Sequence, residues 1–254
     1  MALAYPLAFV YNAPYTEGLF LLAATATFYH FGRGQLGAAC GWGILTGLAR
    51  SNGFLLSLPL LALAVVRAMP SPRWTRIVDR LSPAPDRSRS AAIEIATALM
   101  PIAGLVVYSA FLYLNWGDPL LWAKAQAAWG RTYQGFDPAL GPVKTVIEHG
   151  LYGYSTRSGF ELLHVVFFLF AVALSVPIAF RLGLAYMAVI LVVLLPPLIA
   201  GGWLSMARLT LVLFPIYVYL ALALPVRHRV PLIIVFSVLQ GFGAALFFTW
   251  RPFY

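Results

Sequence analysis

Residues 184–200 read LAYMAVILVVLLPPLIA, a run without a single charge. A bilayer core about 30 Å thick is crossed by about 20 such residues wound as a helix. Immediately upstream, residues 162–180 read LLHVVFFLFAVALSVPIAF, and only Arg181, Leu182 and Gly183 separate the two runs. Neither run alternates apolar with polar residues as a half-buried strand does, and both are too long for a buried strand. The pair decides the fold class: an all-α, polytopic transmembrane protein.

Composition outside these runs agrees. Of 254 residues, 61% are hydrophobic and 10% charged, against about 45–50% apolar and about 25% charged in a soluble domain. So few charges cannot cover a core with a polar shell. The net charge of +9 comes from 15 arginines and two lysines set against eight acidic residues. A basic excess suits nucleic acid or a membrane. Here the basic residues occupy short gaps between apolar runs, which excludes nucleic acid and makes the lipid bilayer the partner. Cys40 has no second cysteine to pair with and sits in a small-residue stretch, so it reads as packing.

Apolar stretches able to cross run from Tyr15 to Phe31, Gln35 to Ala49, Phe54 to Val66, Ala92 to Leu114, Leu162 to Phe180, Leu184 to Ala200, Leu209 to Leu224 and Pro231 to Trp250, about eight spans. Met1 to Tyr11 is apolar but only half a span long, so it reads as the back half of a helix. The expectation is a chain that starts inside a longer protein; a re-entrant stub is the alternative. Residues 1–254 form one transmembrane domain with N-terminal helices to 67, a basic loop at 68–91, a span at 92–114, an outer loop at 115–161 and C-terminal spans from 162 to 254.

Orientation follows the basic residues in short loops. Arg67, Arg73, Arg76, Arg80, Arg87 and Arg89 face only Asp79 and Asp86 between Arg67 and Ser90, so this loop is expected in the cytoplasm. Arg33, Arg181 and the Arg227-His228-Arg229 turn then fall on the same side by alternation. The long outer segment carries its own expected helix, with Asp118 as N-cap, Pro119 in the first turn and a run to Arg131. Leu121, Trp122, Ala125, Ala128 and Trp129 share one face with Lys124 and Arg131 at its edge, as in a helix lying on the membrane surface. An aromatic anchor without further role is the alternative.

Ionisable residues near mid-span would mark an ion path, but Glu94, His30, Glu161 and His164 all lie near span ends, where water is expected to reach them. Phosphate loops, Cys/His metal clusters and nucleophile elbows are absent from the sequence, so no nucleotide-sugar site and no cofactor is expected. Polar groups instead gather at the outer ends of hairpins: Asn12, Tyr15, Thr16 and Glu17; Arg50, Ser51 and Asn52; Asp118, Lys124 and Gln126; Ser205 and Arg208. Arg50 and Arg208 stand where an apolar helix meets the surface, suited to two-pronged binding of a phosphate whose lipid tail stays in the bilayer. A headgroup anchor is the plainer reading of either alone.

At these residues the sequence resembles a known family. Tyr5-Pro6, Ala13-Pro14-Tyr15-Thr16-Glu17 and Leu19-Phe20 are followed by Gly47-Leu48-Ala49-Arg50-Ser51-Asn52-Gly53. Then come Trp116-Gly117-Asp118-Pro119-Leu120, Ala125-Gln126, Trp129, Ser205, Arg208 and Phe214-Pro215. In order, over about 200 residues, they resemble the polytopic glycosyltransferases related to the second mannosyltransferase of GPI-anchor assembly, the PIG-V family. The resemblance implies a GT-C type enzyme that moves a sugar, mannose, from a polyprenyl or dolichyl phosphate to a glycan, lipid or protein acceptor on the non-cytoplasmic face. Two departures stand out: the family's acidic base would precede Met1, and Leu209 follows Arg208 where an aromatic residue is usual.

On this reading Arg50 and Arg208 bind the donor phosphate. Asn52, Gln126 and Trp129 shape the sugar site, Asp118 and Lys124 belong to the same substrate-binding set, and Glu17 is a base or a sugar hydrogen-bond acceptor, with a helix-start or interface role as its alternative. The alternatives are a transporter or flippase for a lipid-linked sugar, and a non-catalytic membrane subunit. Arginine over lysine, with abundant alanine and glycine, points to a bacterial plasma membrane; a eukaryotic origin would place the chain in the endoplasmic reticulum.

Overall fold

The computed structural model describes residues 1–249 apart from 70–71, 82–89, 129, 131–132, 134, 136, 158 and 204. The described residues form helices and turns with no strand. Helices α1 (Glu17–Gly32), α2 (Leu36–Ala49) and α3 (Ser57–Ala68) come first, followed by the short α4 (Pro72–Val78). Next are α5 (Ala91–Ala98), α6 (Met100–Trp116), α7 (Leu121–Ala128) and α8 (Asp137–Arg157). The C-terminal part holds α9 (Gly159–Arg181), α10 (Leu184–Gly201), α11 (Met206–Leu209), α12 (Phe214–Ala223) and α13 (Val226–Phe248).

Four helical stretches are long and apolar enough to cross a membrane: Ser51–Ala68, Glu161–Arg181, Leu184–Gly201 and Val226–Phe248. Two bent pairs raise the number to six if each is one span, α5 with α6 at 44° and Met206–Val212 with α12 at 64°. Among the described residues each of the eight expected stretches contains helix, yet the 16 residues of α1 and 14 of α2 fall short of a crossing. Large apolar side chains stay exposed along the long helices, among them Val106 and Phe111 on α6, Leu169 and Phe180 on α9, and Val238 and Phe242 on α13. Exposed apolar surface on this scale calls for an apolar solvent or partner, and the chain is accordingly an all-helical protein built for membrane insertion.

The glycine-rich character of α2 has a packing cause. A Cβ on Gly47 would lie 2.0 Å from the Pro101 carbonyl oxygen, and one on Gly104 would lie 2.2 Å from that of Ile44. The α2 and α6 backbones therefore touch, as small residues allow in membrane bundles.

The N-terminus departs from expectation. Residues of Met1 to Tyr11 form two 3-10 turns, Ala2–Ala4 and Ala8–Asn12, rather than the end of an α-helix. Pro6 is the reason: the residue before a proline is pushed out of the helical region, and Tyr5 is extended at φ −57°, ψ 142°. The segment is nonetheless buried from Leu7 to Val10. The Tyr5 ring meets Phe167, Tyr217 and Phe236 edge-on, joining α9, α12 and α13.

The basic loop is less solvated than its charge suggests. Arg67 and Asp79 form an ion pair at 2.9 Å with both side chains buried, and Arg67 also donates to the Phe31 carbonyl. The Arg80 backbone N–H donates to the Leu182 carbonyl at 2.8 Å, so α4 and the turn after it are seated on the bundle. Arg87 and Arg89 lie outside the described residues.

In the outer segment, Asp118 caps by accepting the Leu120 N–H at 3.0 Å, but α7 starts at Leu121 and ends at Ala128. Leu121 and Trp122 are half-buried, whereas Ala125 and Ala128 of the expected apolar face are exposed. Trp122 donates its indole N–H to Ser109 of α6. The long α8 was not anticipated, though Asp137-Pro138 at its start repeats the Asp118-Pro119 signature. A break at Gly150, with φ 69° and ψ 172°, divides it.

Candidate functional site: a carboxylate between two arginines

Three of the polar clusters meet at Glu17. This residue opens α1 and is only 2% exposed, although it is charged. Arg50 Nη1 donates to Glu17 Oε1 at 3.0 Å, and Arg208 Nε lies 3.2 Å from the same oxygen. The arginine side chains are 14% and 19% exposed, so each guanidinium keeps an outlet to the surroundings. Glu17 Oε2 is buried and has no hydrogen-bond partner among the described residues. With two positive and one negative group, the triad retains a formal charge of +1.

Local structure sets each of the three. Arg50 is the extended residue, φ −149° and ψ 138°, between α2 and the 3-10 turn Ser51–Leu56. That turn folds back tightly on α2, since a Cβ on Gly53 would stand 2.3 Å from the Thr46 carbonyl oxygen. Arg208 lies on α11, the short piece that opens the bent pair Met206–Val212 with α12. Ser205 just before it sits in the left-handed region at φ 63°, the sole non-glycine there among the described residues, and such a residue is held by its surroundings at a cost. Aromatic faces back both cations: Tyr15 lies 4.7 Å from the Arg208 guanidinium carbon, and Phe20 lies 5.8 Å from that of Arg50.

A second layer of polar groups holds α11 in place. His164 of α9 is 1% exposed, and its Nδ1 accepts the Ala207 N–H at 3.1 Å, which leaves Nε2 to carry the proton of the neutral ring. Thr210 donates to the Ala207 carbonyl at 2.6 Å, so Tyr5 donates to Thr210 over 2.7 Å. Tyr11 and Tyr217 both donate to the Leu211 carbonyl. Burial pushes Tyr11 up to about 12, and the Glu17 carboxylate acts in the same direction.

The burial of His164, and of Glu94 at 6% exposure, corrects the expectation that water reaches these helix ends. His164, Tyr5 and Tyr11 were missed as parts of the site. The signal available was a histidine two residues inside a strongly apolar run, and tyrosines in an N-terminal segment that had been read as half a helix.

The other expected site residues are placed elsewhere or not tied in. Asp118 pairs with Lys124 at 2.6 Å, and that ammonium hydrogen bond, with the Leu120 N–H, holds its carboxyl below the usual carboxylate range. Gln126 is half-buried on α7, and Asn52 is half-buried in the 3-10 turn after Arg50. Trp129 lies outside the described residues. Among the described residues no group of three or more His, Cys, Asp or Glu side chains could hold a metal ion.

Comparison with known proteins adds no assignment: no family model, no curated protein and no solved structure matches this chain.

Proposed function

We propose that this chain is a membrane glycosyltransferase that transfers a sugar, mannose, from a polyprenyl or dolichyl phosphate on the non-cytoplasmic face of the membrane. The observation that carries the reading is the convergence of Arg50 and Arg208, from opposite ends of the chain, on the buried carboxylate of Glu17. Two guanidinium forks with residual positive charge at the end of apolar helices suit a phosphate whose tail lies in lipid. The motif resemblance falls on the same residues.

In the proposed reaction an acceptor hydroxyl attacks the anomeric carbon. The new carbon–oxygen bond forms as the bond to the lipid phosphate breaks, and the hydroxyl proton leaves to a base. Negative charge grows on the departing phosphate, where preorganised cations stabilise the transition state more than the ground state. Glu17 keeps the two arginines at their spacing through Oε1.

The test is transfer of labelled mannose from a synthetic polyprenyl phosphate by the protein, expressed from its complete reading frame and reconstituted in vesicles. Transfer to an acceptor supports the proposal. Movement of the labelled donor between leaflets without transfer would instead mark a transporter, and neither activity would leave a membrane subunit.

A further inference from the structure

A cavity of about 920 Å³ opens at the other end of α1, lined by α1, α10, α12 and the turn after α4. Its volume falls within the range of about 300–1,000 Å³ typical of ligand sites. Phe28, Tyr186, Phe214 and Val218 form the walls, and Tyr29 and Arg33 stand in the lining. Arg33 is exposed, rests 4.8 Å above the Tyr29 ring and makes no ion pair among the described residues. Leu81, also in the lining, follows Arg80 on the segment seated against Leu182. An apolar chamber with a cation in its lining is the complement of an amphiphile with an anionic head.

Glu17 opens α1 and Arg33 follows its last residue, so the two ends are about 24 Å apart at 1.5 Å per residue. A donor with its phosphate at Arg50 and Arg208 cannot also place that phosphate at Arg33.

We infer that this cavity is a separate site for an anionic phospholipid of the bilayer, with an acyl chain between Phe28, Tyr186 and Phe214 and the head-group phosphate on Arg33. The site is independent of the transferase reading, since none of its lining residues belongs to the Glu17 triad.

The full chain is reconstituted in nanodiscs of equimolar phosphatidylglycerol and phosphatidylcholine, and the lipid it retains is identified by native mass spectrometry. Wild-type protein is expected to retain one phosphatidylglycerol about fivefold over phosphatidylcholine, the preference that one basic residue near a lipid surface confers. Arg33→Gln should abolish the preference, while Arg76→Gln, exposed on the basic α4 outside the lining, should keep it. Val218→Trp, which fills the chamber, should lose the bound lipid altogether. Equal retention of the two lipids by wild-type protein, or a preference that survives Arg33→Gln, overturns the inference without the need for the filling variant to fold.

Discussion

Arg50 Nη1 donates to Glu17 Oε1 across 3.0 Å, joining residues 33 positions apart. The oxygen that accepts this bond also faces Arg208, so Glu17 is the only counter-charge in the triad. Removing one partner of a buried ion pair costs about 3–5 kcal/mol. Glu17→Gln should therefore destabilise the fold by about that amount and more than Arg50→Gln, which leaves the Glu17–Arg208 pair intact. Thermal unfolding in detergent checks the order; a smaller loss for Glu17→Gln would mean that the arginines do not depend on it.

Ser205 supplies a second test. Its φ of 63° suits glycine, and a β-branched side chain in that region is strained by about 1–3 kcal/mol. Ser205→Gly should keep or raise the melting temperature, whereas Ser205→Val should lower it and displace Arg208. Equal melting temperatures would show that α11 does not need this backbone geometry.

The α2–α6 crossing predicts a steric outcome. Gly47→Ala places its new carbon 2.0 Å from the Pro101 carbonyl oxygen, so the helices must part, at a cost on the overpacking scale of about 1–3 kcal/mol. Gly37, whose Cβ would meet nothing within 4 Å, should accept alanine without loss. Comparing the unfolding midpoints of the two variants checks the close approach.

Orientation is tested by labelling in a Cys40→Ala background. Ser90 and Ser155 are both exposed, and the positive-inside argument puts them on opposite sides. A cysteine at Ser155 should react with an impermeant reagent applied from outside, and one at Ser90 should not. The reverse pattern would move the Glu17 triad to the cytoplasmic face and remove the basis for an outward-facing donor site.

Much of this architecture was legible in the residues themselves. Uninterrupted apolar runs such as Leu184–Ala200 announce helices, because they are too long for a strand and long enough to cross lipid. Glu17, Arg50 and Arg208 stood out as polar groups at hairpin ends, though their ion pairs were not readable, since local patterns carry no information on which ends meet. The N-terminal turns were missed because apolarity alone cannot distinguish a span from a buried 3-10 segment, and Pro6 was the local cue. His164 was hidden for a related reason: position near a helix end suggests solvent, but the return of α11 over α9 buries the ring. Where length was marginal, as in α1 and α2, apolarity alone announced spans, and the helices formed there have 16 and 14 residues.

The most direct test of the central claim is the transfer rate, per folded molecule, of Arg50→Lys and Arg208→Lys with a polyprenyl-phosphate mannose donor. A lysine keeps the charge but loses the two-pronged geometry. If these side chains hold the departing phosphate, each variant should transfer more slowly while remaining folded, and the alanine variants should fall by about 10²–10³-fold, the scale for losing one preorganised charge-stabilising group. Unchanged rates in both lysine variants would contradict the account and leave the triad as a structural fastening between α1, α2 and α11.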